Sequence, residues 1–189
     1  ENFRFGHNRE GDAFCLKEIA ISSGVEVVIL PIVEDINGRM SSSRIRCSLS
    51  KGNIEEATKL MGRPYRFKGR VVKGKGIGKG LGWPTANLNV DGRKFLPALG
   101  VYAAWTKIKN RKNAIASIMN LGPQPTIDPA SPSAVEVHLL DQDLDLVGQE
   151  LIVEPVKRLR EQKKFDNFKQ LSNQIALDAK QAIDILKNV

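Results

Sequence analysis

One stretch of this chain concentrates residues able to do chemistry: Gly74-Lys75-Gly76-Ile77-Gly78-Lys79-Gly80-Leu81-Gly82-Trp83-Pro84-Thr85-Ala86-Asn87. Its run of closely spaced glycines lets backbone N–H groups approach and cradle phosphate oxygens, and Lys75 and Lys79 add positive charge. No Gly-Lys-Ser/Thr follows at the spacing of a Walker A loop. A Rossmann fingerprint is excluded too, because the segment leads to further strands rather than a helix. The Thr85 hydroxyl and the Asn87 amide oxygen lie two residues apart, so an extended segment points them the same way. Magnesium takes a few such protein oxygens together with phosphates and water, although turn chemistry would account for the same two residues.

A second candidate lies in Ala134–Leu140, which reads as a strand. Alternation there puts Val135, Val137 and Leu139 on one face and Glu136 and His138 on the other, leaving an acid amid an apolar strand. Charge is unevenly spread over the 189 residues, whose formal net charge is +8. Residues 1–62 hold 8 Lys+Arg and 9 Asp+Glu, whereas residues 63–189 hold 21 and 12. Arg63, Arg66, Lys68, Arg70, Lys73, Lys75 and Lys79 form a basic run without an acid, which suits a phosphate-bearing partner, nucleotide or nucleic acid. Hydrophobic residues at 41% and charged ones at 26% describe a globular chain, and no apolar run reaches the roughly 18 residues of a membrane helix. Two cysteines, Cys15 and Cys47, cannot form a disulfide scaffold, so reduced thiols and a cytoplasmic location are expected.

The elements that must position these residues fall into two groups. A helix is predicted over 11–23, stopped at Gly24, followed by a β-rich run Val25–Leu30 ended by Pro31. Ser41-Ser42-Ser43 reads as a loop entering a helix, and a further helix fits 53–61, with Gly62-Arg63-Pro64 ending it. From about residue 65 the pattern becomes short strands, at 66–73, 101–105, 114–119, 134–140 and 151–156, separated by Gly, Pro and Asn turns. That pattern predicts a small β-barrel or sandwich. From Lys163 the period turns helical through Phe165, Phe168, Leu171, Ile175, Leu177, Ala179, Ile183 and Leu186.

Gly74, Gly78, Lys79, Gly82, Pro84, Thr85, Ala86 and Asn87 stand in the arrangement of the riboflavin kinase signature, and the chain resembles that family from about 65 to 185. Leu96-Pro97, Gly100-Val101-Tyr102, Asn120-Leu121-Gly122-Pro123-Gln124-Pro125-Thr126, Val135-Glu136-Val137-His138-Leu139-Leu140, Asp145-Leu146-Val147-Gly148 and Arg160…Lys164-Phe165 follow in the family's order. Val147 stands where the family usually has Tyr. Gln162 stands where it usually has Glu, with Glu161 one place earlier. The resemblance implies a mainly β fold, a six-stranded antiparallel Greek-key barrel with a C-terminal helix. It implies ATP-dependent phosphorylation of riboflavin to FMN with Mg²⁺ or another divalent cation. Gly74, Gly78, Lys79, Gly80, Gly82, Pro84, Thr85, Asn87, Asn120 and Gly122 would bind ATP, Thr85 and Asn87 the metal, and Arg160 and Phe165 the flavin. Glu136 would be the base that accepts the ribityl hydroxyl proton, while His138 is given no role.

The N-terminal third resembles part of bacterial FAD synthetase through Asn2-Phe3-Arg4-Phe5-Gly6 and Met40-Ser41-Ser42-Ser43-Arg44-Ile45-Arg46. Asn2, Phe3, Phe5, Gly6, Ser42, Ser43 and Arg46 are its candidate site residues, and serines with an arginine at a helix start suit ATP phosphates. The expected division is 1–62, a partial α/β nucleotidyltransferase segment, and 63–189, the kinase barrel. His7 and His138 are the only histidines, so the His-x-x-His loop of an adenylyltransferase is absent from these residues. The whole chain thus resembles the latter part of a bifunctional riboflavin kinase/FAD synthetase. The expectation is that these residues phosphorylate riboflavin but do not themselves adenylylate FMN to FAD, which would need the full N-terminal module. They are expected in the cytoplasm or a plastid stroma, with riboflavin, FMN, ATP and ADP as partners and neither membrane nor nucleic acid. The alternative is a basic nucleic-acid-binding barrel. It is disfavoured because aromatics are 6% overall and residues 63–79 offer only Tyr65 and Phe67 for base stacking.

Overall fold

The structure is a computed structural model that describes residues 3–74, 76–122, 134–142 and 144–188. It divides into two compact units, one up to Ser42 and one from Ser43 onward. The strand pattern begins near residue 65, but the compact unit that contains it starts at Ser43, ahead of the expected division at 62.

The first unit holds a two-stranded ribbon of β1 (Arg4–Phe5) and β2 (Gly11–Asp12), helix α1 (Ala13–Ser22), and a second ribbon of β3 (Glu34–Asp35) and β4 (Gly38–Arg39). Asp12 caps α1 by accepting from the backbone N–H of Cys15 at 2.9 Å and of Phe14 at 3.0 Å. The Cys15 N–H, with further help from Phe14 and Arg4, holds the Asp12 carboxyl below the ordinary aspartate value. The strand expected over Val25–Leu30 does not form. Val25, Val28 and Leu30 stand 57%, 72% and 71% exposed. A strand is stable only when a neighbour takes up its backbone hydrogen bonds, and the ladders of this unit are the two short ribbons. The helix-then-strand expectation thus holds for the helix alone.

Helix α2 (Ser42–Ser50), which lies in the second unit from Ser43 onward, and α3 (Ile54–Met61) come first. Asn53 caps α3 by accepting from Glu56 N–H at 3.0 Å, and Gly62, at φ 64°, ends it in the left-handed conformation. Ile54, Ala57 and Leu60 form the buried face of α3. The strands are β5 (Phe67–Val72), β6 (Ala86–Val90), β7 (Gly100–Ile108), β8 (Ala114–Gly122), β9 (Ala134–Leu139) and β10 (Glu150–Arg160), with the single-turn helix α4 (Ile77–Gly80) between β5 and β6. They close an antiparallel barrel in the order β10-β5-β6-β9-β8-β7. Within it β10, β7, β8 and β9 lie side by side in that sequence, which is the Greek-key arrangement.

Alternation along each strand separates two apolar clusters. Inside the barrel, Phe67, Val71, Ala86, Leu88, Tyr102, Met119, Leu121, Val135, Val137, Leu151 and Val153 pack together. On its outer face, Val101, Ala103, Ile118 and Leu140 meet Ala179, Ala182 and Leu186 of α5 (Phe168–Leu186). Asn167 caps α5 by accepting from Gln170 N–H. The helix starts later than its sequence period predicts. Phe165 lies buried ahead of it, while Phe168 and Leu177, expected within the apolar stripe, are exposed. Among the described residues no helix is long and apolar enough to cross a membrane.

Candidate active site

A polar row crosses the outer face of the barrel. Asn87 on β6 lies opposite Glu136 on β9, and Glu136 lies opposite Asn120 on β8. The row continues through Val101 on β7 to Arg160 on β10. Residues directly opposite in antiparallel strands share a face. Here that face is the outer one, because their neighbours Ala86, Leu88, Met119, Leu121, Val135 and Val137 fill the interior. Glu136 is half-buried, and its Oε2 accepts from Asn120 Nδ2 at 3.3 Å. Gln162 closes the far side, donating from Nε2 to Asn120 Oδ1 at 2.6 Å and to the Leu121 carbonyl at 3.1 Å.

The glycine-rich loop passes beside the Asn87 end of this row. A Cβ on Gly74 would overlap the Asn87 amide at Nδ2, so Asn87 lies against bare backbone with Oδ1 turned farther from that glycine. A Cβ on Gly78 would overlap the Trp83 carbonyl oxygen and stand 3.2 Å from Thr85 Oγ1, and Trp83 N–H donates to the Gly78 carbonyl at 2.8 Å. Gly76 and Gly82, at φ 71° and 79°, bracket α4 in the left-handed region. A Cβ on Gly80 would meet nothing within 4 Å, Lys79 is exposed, and Lys75 lies outside the described residues. Thr85 is exposed just ahead of β6. Three residues without an assigned role hold this loop end. His138 Nδ1 donates to the Pro84 carbonyl at 2.7 Å. The Trp83 ring meets His138 edge-on at 5.2 Å, and Trp83 Nε1 donates to Ser172 Oγ on α5 at 3.0 Å. Only the placement of His138 beside Glu136 on one strand face was open to sequence reasoning.

At the opposite end of the row, Arg160 is held by a buried carboxylate. Its Nε lies 3.0 Å and its Nη2 2.8 Å from Asp178, which is 2% exposed and also accepts from Gln174 at 2.9 Å. The Arg160 guanidinium sits 5.8 Å and the Lys163 ammonium 5.7 Å from the Phe165 ring centroid. Asp178 escaped sequence reasoning; its one signal was an acid next to Ala179 in the apolar stripe of α5. Gly122, at φ 142°, leaves room for Gln162, whose Nε2 would stand 3.0 Å from a Cβ there. Residues 123–126 of the expected second loop lie outside the described residues.

Phe3 and Phe5 stack at 5.6 Å in the first unit, beside Gly6 at φ 77°. Ser42 and Ser43 begin α2, and Arg46 Nη2 reaches Ser43 Oγ at 3.5 Å, all exposed. Asn2 lies outside the described residues. The basic run is partly balanced on the barrel surface. Arg66 pairs with Glu154 at 3.6 Å, and Lys68 and Lys109 pair with Glu150 at 3.7 and 3.2 Å. Lys109 foremost holds the Glu150 carboxyl below its ordinary value. Among the described residues no cluster of three His, Cys, Asp or Glu could hold a metal.

The sequence profile described as Flavokinase: Riboflavin kinase matches residues 61–186. The bifunctional riboflavin kinase/FMN adenylyltransferase of Escherichia coli (strain K12) is 34% identical over 178 residues, covering 94% of this chain and 56% of that protein. Its Bacillus subtilis (strain 168) counterpart is 35% identical over 154 residues, covering 80% and 48%. A crystal structure described as a macrolide-efflux protein from Streptococcus pneumoniae superposes with a TM-score of 0.80 at 34% identity, covering 94% of this chain and 56% of that one. The chain thus spans about half the length of the curated relatives it matches.

Proposed function

The chain belongs to the riboflavin kinase family, and from that premise we propose that the row Asn87–Glu136–Asn120 is the place where it transfers the γ-phosphoryl group of ATP to the terminal ribityl hydroxyl of riboflavin. The observation that carries this reading is the half-buried Glu136 carboxylate between two amides, beside a loop whose Gly74 and Gly78 lie against Asn87 and Thr85. Phosphoryl transfer needs positioning, charge neutralisation and an acceptor for the hydroxyl proton. Glu136 takes that proton, a contribution of roughly 10²–10⁴ in rate.

Gly74, Gly78, Gly80, Gly82 and Pro84 shape the ATP loop, Lys79 adds charge to it, and Asn120 and Gly122 border it. Thr85 and Asn87 offer a hydroxyl and an amide oxygen, hard neutral donors that suit Mg²⁺ when phosphate oxygens complete the shell. The cation supplies charge neutralisation across the transferring phosphates. Arg160 and Phe165 border the flavin, with Asp178 fixing the guanidinium. Riboflavin, FMN, ATP and ADP are the small-molecule partners. The free thiols Cys15 and Cys47 suit a cytoplasmic setting, and the comparisons lend the nucleic-acid reading no support.

The test is FMN formation from riboflavin and ATP, followed by chromatography. Glu136→Gln is expected to lower kcat about 100-fold or more while ATP still binds, and chelation of divalent cations is expected to stop turnover. A Glu136→Gln variant with the parent rate refutes the assignment.

A further inference from the structure

Resting on the reading of Glu136 as the base, we infer that Gln162 is a positioning residue that sets which way the Asn120 amide faces and so keeps an N–H on the Glu136 carboxylate. The polarity runs from a group with no choice. A backbone carbonyl only accepts, so Gln162 must turn its nitrogen toward the Leu121 oxygen, 3.1 Å away. The second hydrogen of that nitrogen then meets Asn120 at 2.6 Å, which requires the Asn120 oxygen on that side. Only Nδ2 is left to face Glu136 Oε2, at 3.3 Å. Reversing the Asn120 amide would set its oxygen against a carboxylate oxygen and its nitrogen against a donor, two mismatches in a part-buried place.

The backbone makes room for this relay. A Cβ on Gly122 would stand 3.0 Å from Gln162 Nε2 and 3.3 Å from its Cγ, so the glycine leaves the path along which the Gln162 stem runs. Arg160, two residues earlier, directs Nε and Nη2 to Asp178. The strand end therefore sends its cation toward α5 and its neutral amide toward the Glu136 row. The relay that reaches Glu136 through Asn120 is made of neutral amides.

The experiment uses Gln162→Met, which keeps the length of the stem and removes the amide. The expected result is a kcat lowered about fivefold, with KM for ATP and for riboflavin unchanged and a melting temperature lowered by only about 2–4 °C. In an Asn120→Leu background the same substitution is expected to change nothing further, because the relay is already cut. A parent-like kcat for Gln162→Met overturns the inference. So does a fivefold fall that persists undiminished in the Asn120→Leu background, since Gln162 would then act by packing alone. Glu136→Gln is assayed alongside. If it keeps the parent rate, the base assignment fails and the inference falls with it. If it is inactive while Gln162→Met is normal, the relay alone is wrong.

Discussion

Gly74 and Gly78 are the same residue type four positions apart, yet substitution at the two sites has different consequences. An added Cβ at Gly78 meets a backbone carbonyl, that of Trp83, which cannot move without reshaping the loop. At Gly74 it meets the tip of a side chain, the Asn87 amide, which can swing aside. Gly74→Ala is therefore expected to fold normally, with a melting temperature near the parent's. It should displace the amide proposed to serve the phosphates and lower kcat/KM for ATP about tenfold, a change of about 1.4 kcal/mol. Steady-state kinetics beside a thermal melt measure both quantities, and a parent-like kcat/KM removes Asn87 from the site. At this scale residue type was legible. A threonine and an asparagine after a glycine-rich run, and an acid within an apolar strand, stand out in the sequence. Orientation was not legible, because which edge of an amide faces a carboxylate depends on strands far apart in the chain.

Asn87, Glu136 and Asn120 need three strands in register, and flanking elements hold the two ends of the row. Hydrophobic alternation marks β5 and β9 in the sequence, since one face of each lies in the barrel core. The run Val25–Leu30 alternates less and is richer in β-branched residues, yet it forms no strand, because propensity cannot replace an adjacent strand to pair with. On the loop side, His138 and Ser172 tie Trp83 and Pro84 to β9 and α5. On the other side, Asp178 ties α5 to the end of β10 through Arg160. Asp178→Ala leaves that guanidinium part-buried without its carboxylate, an expected loss of about 3 kcal/mol. Chemical denaturation measures it, and a loss near zero would mean that the pair contributes nothing net to docking α5. These tethers were invisible in the sequence because each joins residues from separate elements.

For the molecule as a whole, the net charge of +8 resolves into a barrel surface where Glu150 and Glu154 answer part of the basic run. The relatives' names carry two activities, and the family match covers the kinase part, residues 61–186. The chain is expected to make FMN from riboflavin and ATP, and chromatographic detection of FMN checks it. Although its strand pattern passes over β6, which carries Asn87, local pattern in the sequence by itself marks five of the six barrel strands, the C-terminal helix, the glycine-rich loop and the types of the candidate residues. Each of these follows from local periodicity, turn chemistry or side-chain chemistry, which a linear string carries. Only the tertiary structure decided that Asn87, Glu136 and Asn120 form one row, that Gln162 and Asp178 belong to its surroundings, and that α2 and α3 fall within the barrel's compact unit. The physical reason is barrel closure. Antiparallel register sets distant residues side by side, and burial then requires every polar group placed there to find a partner.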